Sequence, residues 1–89
     1  MNTTDKQASV NKLIHDLKKE RDEIKLQLHL GSMELKEEWQ TLNDKLNALS
    51  HEYDPLKDAV EETAEDVWDS MKLVGSELWG GFKRIRQAL

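Results

Sequence analysis

Three histidines and a run of carboxylates are the residues of this sequence that could carry chemistry. His15, His29 and His51 are far apart, and no two have the three- or four-residue spacing that sets two metal ligands on one helix face. The carboxylates within 61–69 lack the spacing and the glycine of an EF-hand calcium loop. We therefore interpret the histidines as solvated or seam-edge residues and the carboxylates as a solvated helix face.

The sequence predicts no catalytic site. It has no cysteine, and it contains no phosphate-binding loop, dinucleotide fingerprint or nucleophile elbow. No motif sets a general base beside one of the few serines and threonines. We expect a protein that is not an enzyme and that binds no cofactor and no metal.

Composition and charge predict long helices and argue against some classes of binding partner. Charged residues make up 35% of the 89 residues, while glycine occurs 4 times and proline once, which is typical of long solvated helices. The net charge of −5 argues against nucleic acid as a partner. The first ten residues lack the apolar core of a signal peptide, and no apolar run approaches the ~20 residues of a membrane span. We expect a cytoplasmic protein.

Long helices are the elements that would position these residues. Apolar residues from position 35 to 60 are spaced alternately four and three apart, which is the heptad pattern of a coiled-coil seam. This first seam comprises Leu35, Trp39, Leu42, Leu46, Leu49, Tyr53, Leu56 and Val60. A second seam comprises Val60, Ala64, Val67, Met71, Val74, Leu78, Phe82, Ile85 and Leu89.

The Asp54-Pro55 pair interrupts the first seam and predicts a turn. Asp54 could cap a helix that starts at Pro55, where the missing N–H costs nothing, and the residue before a proline disfavours the α conformation. A reversal there would set Trp39 beside Trp68. We predict a single all-α domain over 1–89, an antiparallel helical hairpin with helix 1 over about 5–52, a turn at 53–55 and helix 2 over about 55–87.

The Gly31-Ser32 pair is the possible break in helix 1, and three interpretations stay open. The glycine could be tolerated within a continuous helix at a cost of about 1 kcal/mol. Its missing side chain could let another helix approach, since the hairpin would set Gly31 beside Gly75 or Ser76. The third interpretation is a real break, with Gly31 just after one helix and Ser32 as the N-cap of the next.

A hairpin of this kind would leave three groups of apolar residues uncovered. One group lies about 160–220° around helix 1 from the seam, and a pair of tryptophans widens helix 2 to one side. The third group overhangs the end of the hairpin, because helix 1 is the longer helix. We therefore expect a homodimer that forms a four-helix bundle. Its predicted interface residues are Leu26, Leu30, Met33, Trp68, Trp79, Val10, Leu13, Ile14 and Leu17.

The C-terminal segment LWGGFKRIRQAL mixes aromatic residues with cations. Trp79 and Phe82 beside Lys83, Arg84 and Arg86 are typical of a helix that lies in a membrane interface. The end of the second seam, followed by cations that suit a helix C-terminus, explains the same residues. We favour the second interpretation and keep membrane contact as an alternative.

The stretch LQLHLGSMELKEEW, the heptads and the closing FKRIRQAL resemble a set of small uncharacterised bacterial coiled-coil proteins. The likeness covers roughly residues 20–89 and implies a bacterial helical hairpin without activity, so no functional residue is carried over. We expect a non-enzymatic interaction or structural protein that self-associates. The alternatives are a peripheral membrane or stress-associated amphipathic protein, and an antidote or adaptor that binds another protein.

Overall fold

Three α-helices account for nearly all of the described chain. The structure, a computed structural model, describes residues 3–56 and 65–89. The helices are α1 (Thr3–Gln27), α2 (Met33–Leu56) and α3 (Glu65–Ala88), and a single 3-10 turn, Leu28–Leu30, follows α1. These residues include no strand, and the predicted all-α class is confirmed.

Helices α1 and α3 run parallel and share the most extensive contact in the molecule. Near the start of both helices, Nζ of Lys6 lies 3.0 Å from a carboxylate oxygen of Asp69. Near the end of both, Nε of Arg86 donates to Glu20 at 2.5 Å. Because the pairs rise in the same order along both helices, the two helices point in the same direction.

Helix α2 runs antiparallel to α3, and therefore to α1 as well. The end of α2 meets the start of α3, where the rings of Tyr53 and Trp68 pack edge to face with centroids 6.1 Å apart. Further along, the side chain of Leu42 lies against the backbone at Gly81. The result is an up-down-up bundle of 45 × 20 × 17 Å.

The hydrophobic core runs the length of the bundle and takes residues from all three helices. It contains no buried charged residue among those described. Each helix contributes an apolar stripe at helical spacing, so the core is continuous. The buried residues are Val10, Ile14, Leu17, Ile24, Trp39, Leu42, Leu46, Leu49, Tyr53, Trp68, Met71, Leu78, Phe82 and Ile85.

The first seam faces the core as its spacing predicts, whereas the core face of α3 is rotated from the second seam. Along α2 every seam residue from position 35 to 56 is buried or half-buried. On α3, Val67 and Val74 are exposed at the edge, while Trp68 and Gly75 are buried. The rotation follows from packing, because α3 covers α1 as well as α2 and turns its largest aromatic residue inward.

The predicted continuous helix over 5–52 is corrected by the structure, which divides it at residues 28–32, here called the hinge. The Oγ of Ser32 accepts a hydrogen bond from the backbone N–H of Leu35 at 3.2 Å, so Ser32 caps α2 as the third interpretation predicts. Gly31 has φ −92° and ψ 168°, an extended conformation and not a left-handed one. The N-cap interpretation therefore fits, but the left-handed glycine end of a helix does not form.

This break also corrects the predicted overhang. Val10, Ile14 and Leu17 are buried in the core of the single chain, and Leu13 packs against the same core. Because the chain reverses at the hinge, α1 lies along α3 and α2 and needs no second copy to cover its stripe.

The predicted turn at 53–55 is also corrected, because Tyr53, Asp54 and Pro55 all lie within α2. A proline inside a helix costs about 3 kcal/mol or more. Burying the ring of Tyr53 returns about 1.5–3 kcal/mol, and an aromatic pair adds about 0.5–1.5 kcal/mol. The free energy gained by burying Tyr53 therefore offsets the cost of placing Pro55 in the helix. Residues 57–64 of the predicted helix 2, which include the seam residues Val60 and Ala64, lie outside the described residues.

The register of α2 against α3 differs from the prediction by two heptads. Trp68 faces Tyr53, which stands 14 positions after the predicted partner Trp39. The glycines pair differently too, since Gly31 meets the side chain of Leu89 and Gly75 meets Leu13. A small residue therefore lies opposite a large one in both places.

Replacing Gly75 with leucine is expected to destabilise the bundle. A Cβ at this position would lie 3.0 Å from Cγ of Leu13 and closer still to its terminal methyl, and overpacking such a contact costs about 1–3 kcal/mol. Gly80→Leu is the matched control on the same helix, because nothing lies within 4 Å of its Cβ position and the change gains helix propensity. Urea unfolding followed by circular dichroism at one protein concentration measures both. Equal stability of the two variants would contradict the close contact of α1 with α3.

Candidate interaction surface

Three large apolar side chains are exposed at the hinge end of the bundle. Leu26 is 77% exposed, Leu30 67% and Met33 72%, and we call these three residues the apolar patch. They lie on the last turns of α1, on the 3-10 turn and at the first residue of α2. The structure leaves all three outside the core, because the neighbouring residues Ile24 and Leu28 provide the inward face.

Charged and polar residues flank the apolar patch in the sequence. The Nζ of Lys25 lies 5.9 Å from the ring centroid of Trp39, and Glu23 accepts a hydrogen bond from Arg86. His29 and Glu34 are exposed close to the patch in sequence. An exposed apolar patch with a polar rim is typical of a site for another macromolecule.

The remaining predicted interface residues lie inside the single chain. Trp68 is fully buried, and its indole N–H has no hydrogen-bond partner among the described residues. Trp79 is half-buried against the core. The residues covered within the chain are Val10, Leu13, Ile14, Leu17, Trp68 and Trp79. Of the nine predicted interface residues, the apolar patch alone presents large exposed side chains.

A second, shallower apolar feature lies between α2 and α3. This groove has a volume of about 490 Å³, and Ala48, Val67 and Val74 are among the residues that line it. Lys45 and Glu52 lie on its α2 side. No histidine is among the residues that line the groove with Ser70.

The aromatic residues of the C-terminal segment pack against the core, and two of its cations form ion pairs with other helices. Phe82 is fully buried, and Nη2 of Arg84 donates to Glu38 at 3.2 Å. Arg86 donates to both Glu20 and Glu23, and the pKa of Arg86 is raised, first by the hydrogen bond to Glu20 and then by the one to Glu23. The aromatic part of this segment is therefore directed at the other helices, whereas Lys83, Arg84 and Arg86 stay exposed.

Neither a metal centre nor a membrane span is present in the described parts of the chain. His15, His29 and His51 are each exposed and separate, and no three His, Asp or Glu side chains within 3–56 and 65–89 come together as ligands. None of the three helices, as described, is long and apolar enough to cross a bilayer.

Comparison with protein-family models, with curated proteins and with solved structures finds no match to this chain. The resemblance to small bacterial coiled-coil proteins therefore stays an expectation from the sequence. The function has to be inferred from the surfaces described above.

Removing the cap of α2 is expected to weaken the hinge. Ser32→Ala takes away the oxygen that accepts from the N–H of Leu35, and loss of an N-cap costs about 0.5–2 kcal/mol. The control is Ser76→Ala, an exposed position within α3. This change is expected to alter the free energy of unfolding by only about a few tenths of a kcal/mol, the difference in helix propensity between serine and alanine. Urea unfolding at a fixed protein concentration measures both, and an equal effect would argue against a structural cap at Ser32.

Proposed function

We propose that this chain is a non-enzymatic interaction module that self-associates as a homodimer through the apolar patch. The observation that carries the proposal is the exposure of Leu26, Leu30 and Met33, which lie within and on either side of the hinge. Each large apolar side chain left in water forgoes about 1.5–3 kcal/mol compared with burial. Covering the patch is therefore a substantial driving force for association.

The position of the patch supports contact between two copies of the chain. It lies at one end of the bundle, so two bundles can meet there without disturbing the core. In a twofold dimer the same surface is used on both subunits, and a small apolar patch then covers itself. The charged residues around it, such as Lys25 and Glu34, stay at the rim, where charges are common in interfaces.

A charge placed in the patch is expected to dissociate the dimer. Leu30→Glu combined with Met33→Glu would bury four carboxylates in a twofold interface, whereas both positions are exposed in the single chain. We expect the helix content to persist and the mass measured by size-exclusion chromatography with light scattering to halve. A wild-type monomer throughout the micromolar range would overturn the proposal.

The matched control is the same substitution at an exposed leucine outside the patch. Leu73 on α3 is 63% exposed, close to the value for Leu30, so Leu73→Glu changes the net charge and the surface equally. We expect Leu73→Glu to remain a dimer, whereas Leu30→Glu alone weakens it. If both single variants weaken association to the same extent, the apolar patch is not the contact.

A further inference from the structure

The groove between α2 and α3 continues beyond the stretch described above. A second hollow of about 440 Å³ shares Lys45 and Val74 with it and extends as far as Gly80 and Arg84. Together the two hollows follow α3 from Asp66 to Arg84. This length is about 27 Å, or five helical turns, at the usual rise of 1.5 Å per residue. The whole groove is therefore as long as a helix of about 18 residues.

Helix α3 is apolar over a wider arc than α1 and α2 cover. Apart from Leu73, its large apolar residues extend over about 140° of the helix, from Trp79 on the α1 side to Val74 on the groove side. Val67 and Val74 lie one heptad apart at the groove edge of this arc and are 38% and 39% exposed. Part of the second seam therefore stays uncovered, which leaves room for a fourth helix against α2 and α3.

One end of the groove is acidic. Glu52 on α2 and Asp66 on α3 line the same hollow, and both residues are exposed. Neither carboxylate forms an ion pair within residues 3–56 and 65–89. The residues that line the middle of the groove include Ala48, Ser70 and Val74, which carry no charge. Unpaired carboxylates beside an apolar floor are suited to pair with cations at the rim of an interface.

The other end of the groove is weakly basic. Lys45 and Arg84 are the cations that line the second hollow, and Glu77 also lines it and offsets part of their charge. Lys45 forms no ion pair in the described chain. Arg84 donates to Glu38, yet its side chain is still 70% exposed. From end to end the groove therefore has an acidic end, an uncharged middle and a basic end.

We propose that this groove binds an amphipathic helix of a partner protein. That helix is about five turns long, lays an apolar stripe over Val67 and Val74, and completes a four-helix bundle with the three helices of this chain. Its cations lie at the acidic end of the groove and its carboxylates at the basic end. The proposal goes beyond self-association and does not rest on it, because the groove and the apolar patch share no residue.

A single helix fits the groove better than a second copy of this chain does. Two concave grooves placed face to face would enclose a void, and atoms that line a void lose their packing contacts. The apolar patch of a second copy extends only over residues 26–33, which is about 11 Å of helix against the 27 Å of the groove. Neither surface of a second copy fills the groove along its length.

Two synthetic peptides of about 18 residues and identical composition test the charge pattern. Both carry leucines at alternate four- and three-residue spacing. The matched peptide has lysines in the turns at one end and glutamates at the other. The control peptide has glutamates at both ends and lysines in the middle, so neither direction of binding matches the groove. Fluorescence anisotropy of each labelled peptide, titrated with the full chain, measures the dissociation constants.

We expect the matched peptide to bind about fivefold more tightly than the control peptide, or better, at low ionic strength. The preference should decrease as salt is added, because the charge pairs lie at an exposed rim. Equal binding of the two peptides, or no binding of either up to about millimolar protein, would overturn the proposal.

Reversing the acidic end is expected to invert the preference. Glu52→Lys combined with Asp66→Lys makes both ends of the groove basic, and both positions are exposed, so the fold should persist. The control peptide, with glutamates at both ends, should then bind more tightly than the matched peptide. An unchanged preference would show that the peptide does not lie in this groove.

A carboxylate in the middle of the groove tests its apolar floor. Val74→Glu is expected to weaken binding of both peptides about tenfold or more, because the carboxylate would be buried under the docked helix. Leu73→Glu is the matched control, since Leu73 is the neighbouring residue, is 63% exposed and does not line the groove. We expect Leu73→Glu to change binding by less than about twofold. Circular dichroism verifies that both variants keep their helix content, and equal losses of binding would argue against the groove.

Two further measurements separate the other possible contacts. The Leu30→Glu, Met33→Glu variant should bind the matched peptide as the wild type does, and loss of binding would assign the peptide to the apolar patch. Val74→Glu should keep the wild-type mass in light scattering. A halved mass would mean that a second copy fills the groove, which overturns the partner helix. A wild-type monomer that binds the matched peptide would overturn self-association alone.

Discussion

The reversal of the chain at Gly31 and Ser32 decides which surfaces of this protein are buried. Breaking a long helix there gives up a few backbone hydrogen bonds, each worth about 0.5–1.5 kcal/mol net. Folding α1 back buries Val10, Ile14 and Leu17, at about 1.5–3 kcal/mol for each large side chain. The free energy gained by burial exceeds that of the lost hydrogen bonds, and the Ser32 cap replaces part of what is lost. The parallel contact of α1 with α3 and the continuous core both follow from that one reversal.

The repeat that makes α2 easy to recognise also explains why its register could not be read from the sequence. A heptad seam looks the same after a shift of seven or fourteen residues, so the pattern predicts which face is buried and not which residues meet. The register had to come from the turn, and Asp54-Pro55 suggested the wrong place. Local preferences of proline and its neighbour were weaker than the burial of Tyr53 against Trp68. The face of α2 was therefore predictable, whereas its alignment with α3 was not.

The residues of the candidate surface were likewise predictable only in part. Leu26, Leu30 and Met33 could be assigned from helix geometry alone, because they lie opposite the inward stripe whether the hinge is bent or straight. Whether Trp68 and the N-terminal stripe, which comprises Val10, Leu13, Ile14 and Leu17, are covered within one chain depended on how many helices pack together. That number followed from the break at residues 28–32. At Gly31 the apolar spacing indicates a continuous helix while glycine and serine permit an end. Two local signals of similar strength disagreed, and tertiary burial decided between them.

Such a conflict between local signals means that the sequence can satisfy its apolar pattern in two ways. With the hinge bent, one chain covers the N-terminal stripe but exposes the apolar patch. With the hinge straight, a second chain would have to cover the N-terminal stripe, and the apolar patch would still lie on the outer face. The ion pairs from α1 to α3, including Lys6 with Asp69 and Arg86 with Glu20, fit both arrangements and contribute little to the choice, since exposed pairs are worth about 0–1 kcal/mol. The balance therefore depends on the hinge backbone and on protein concentration.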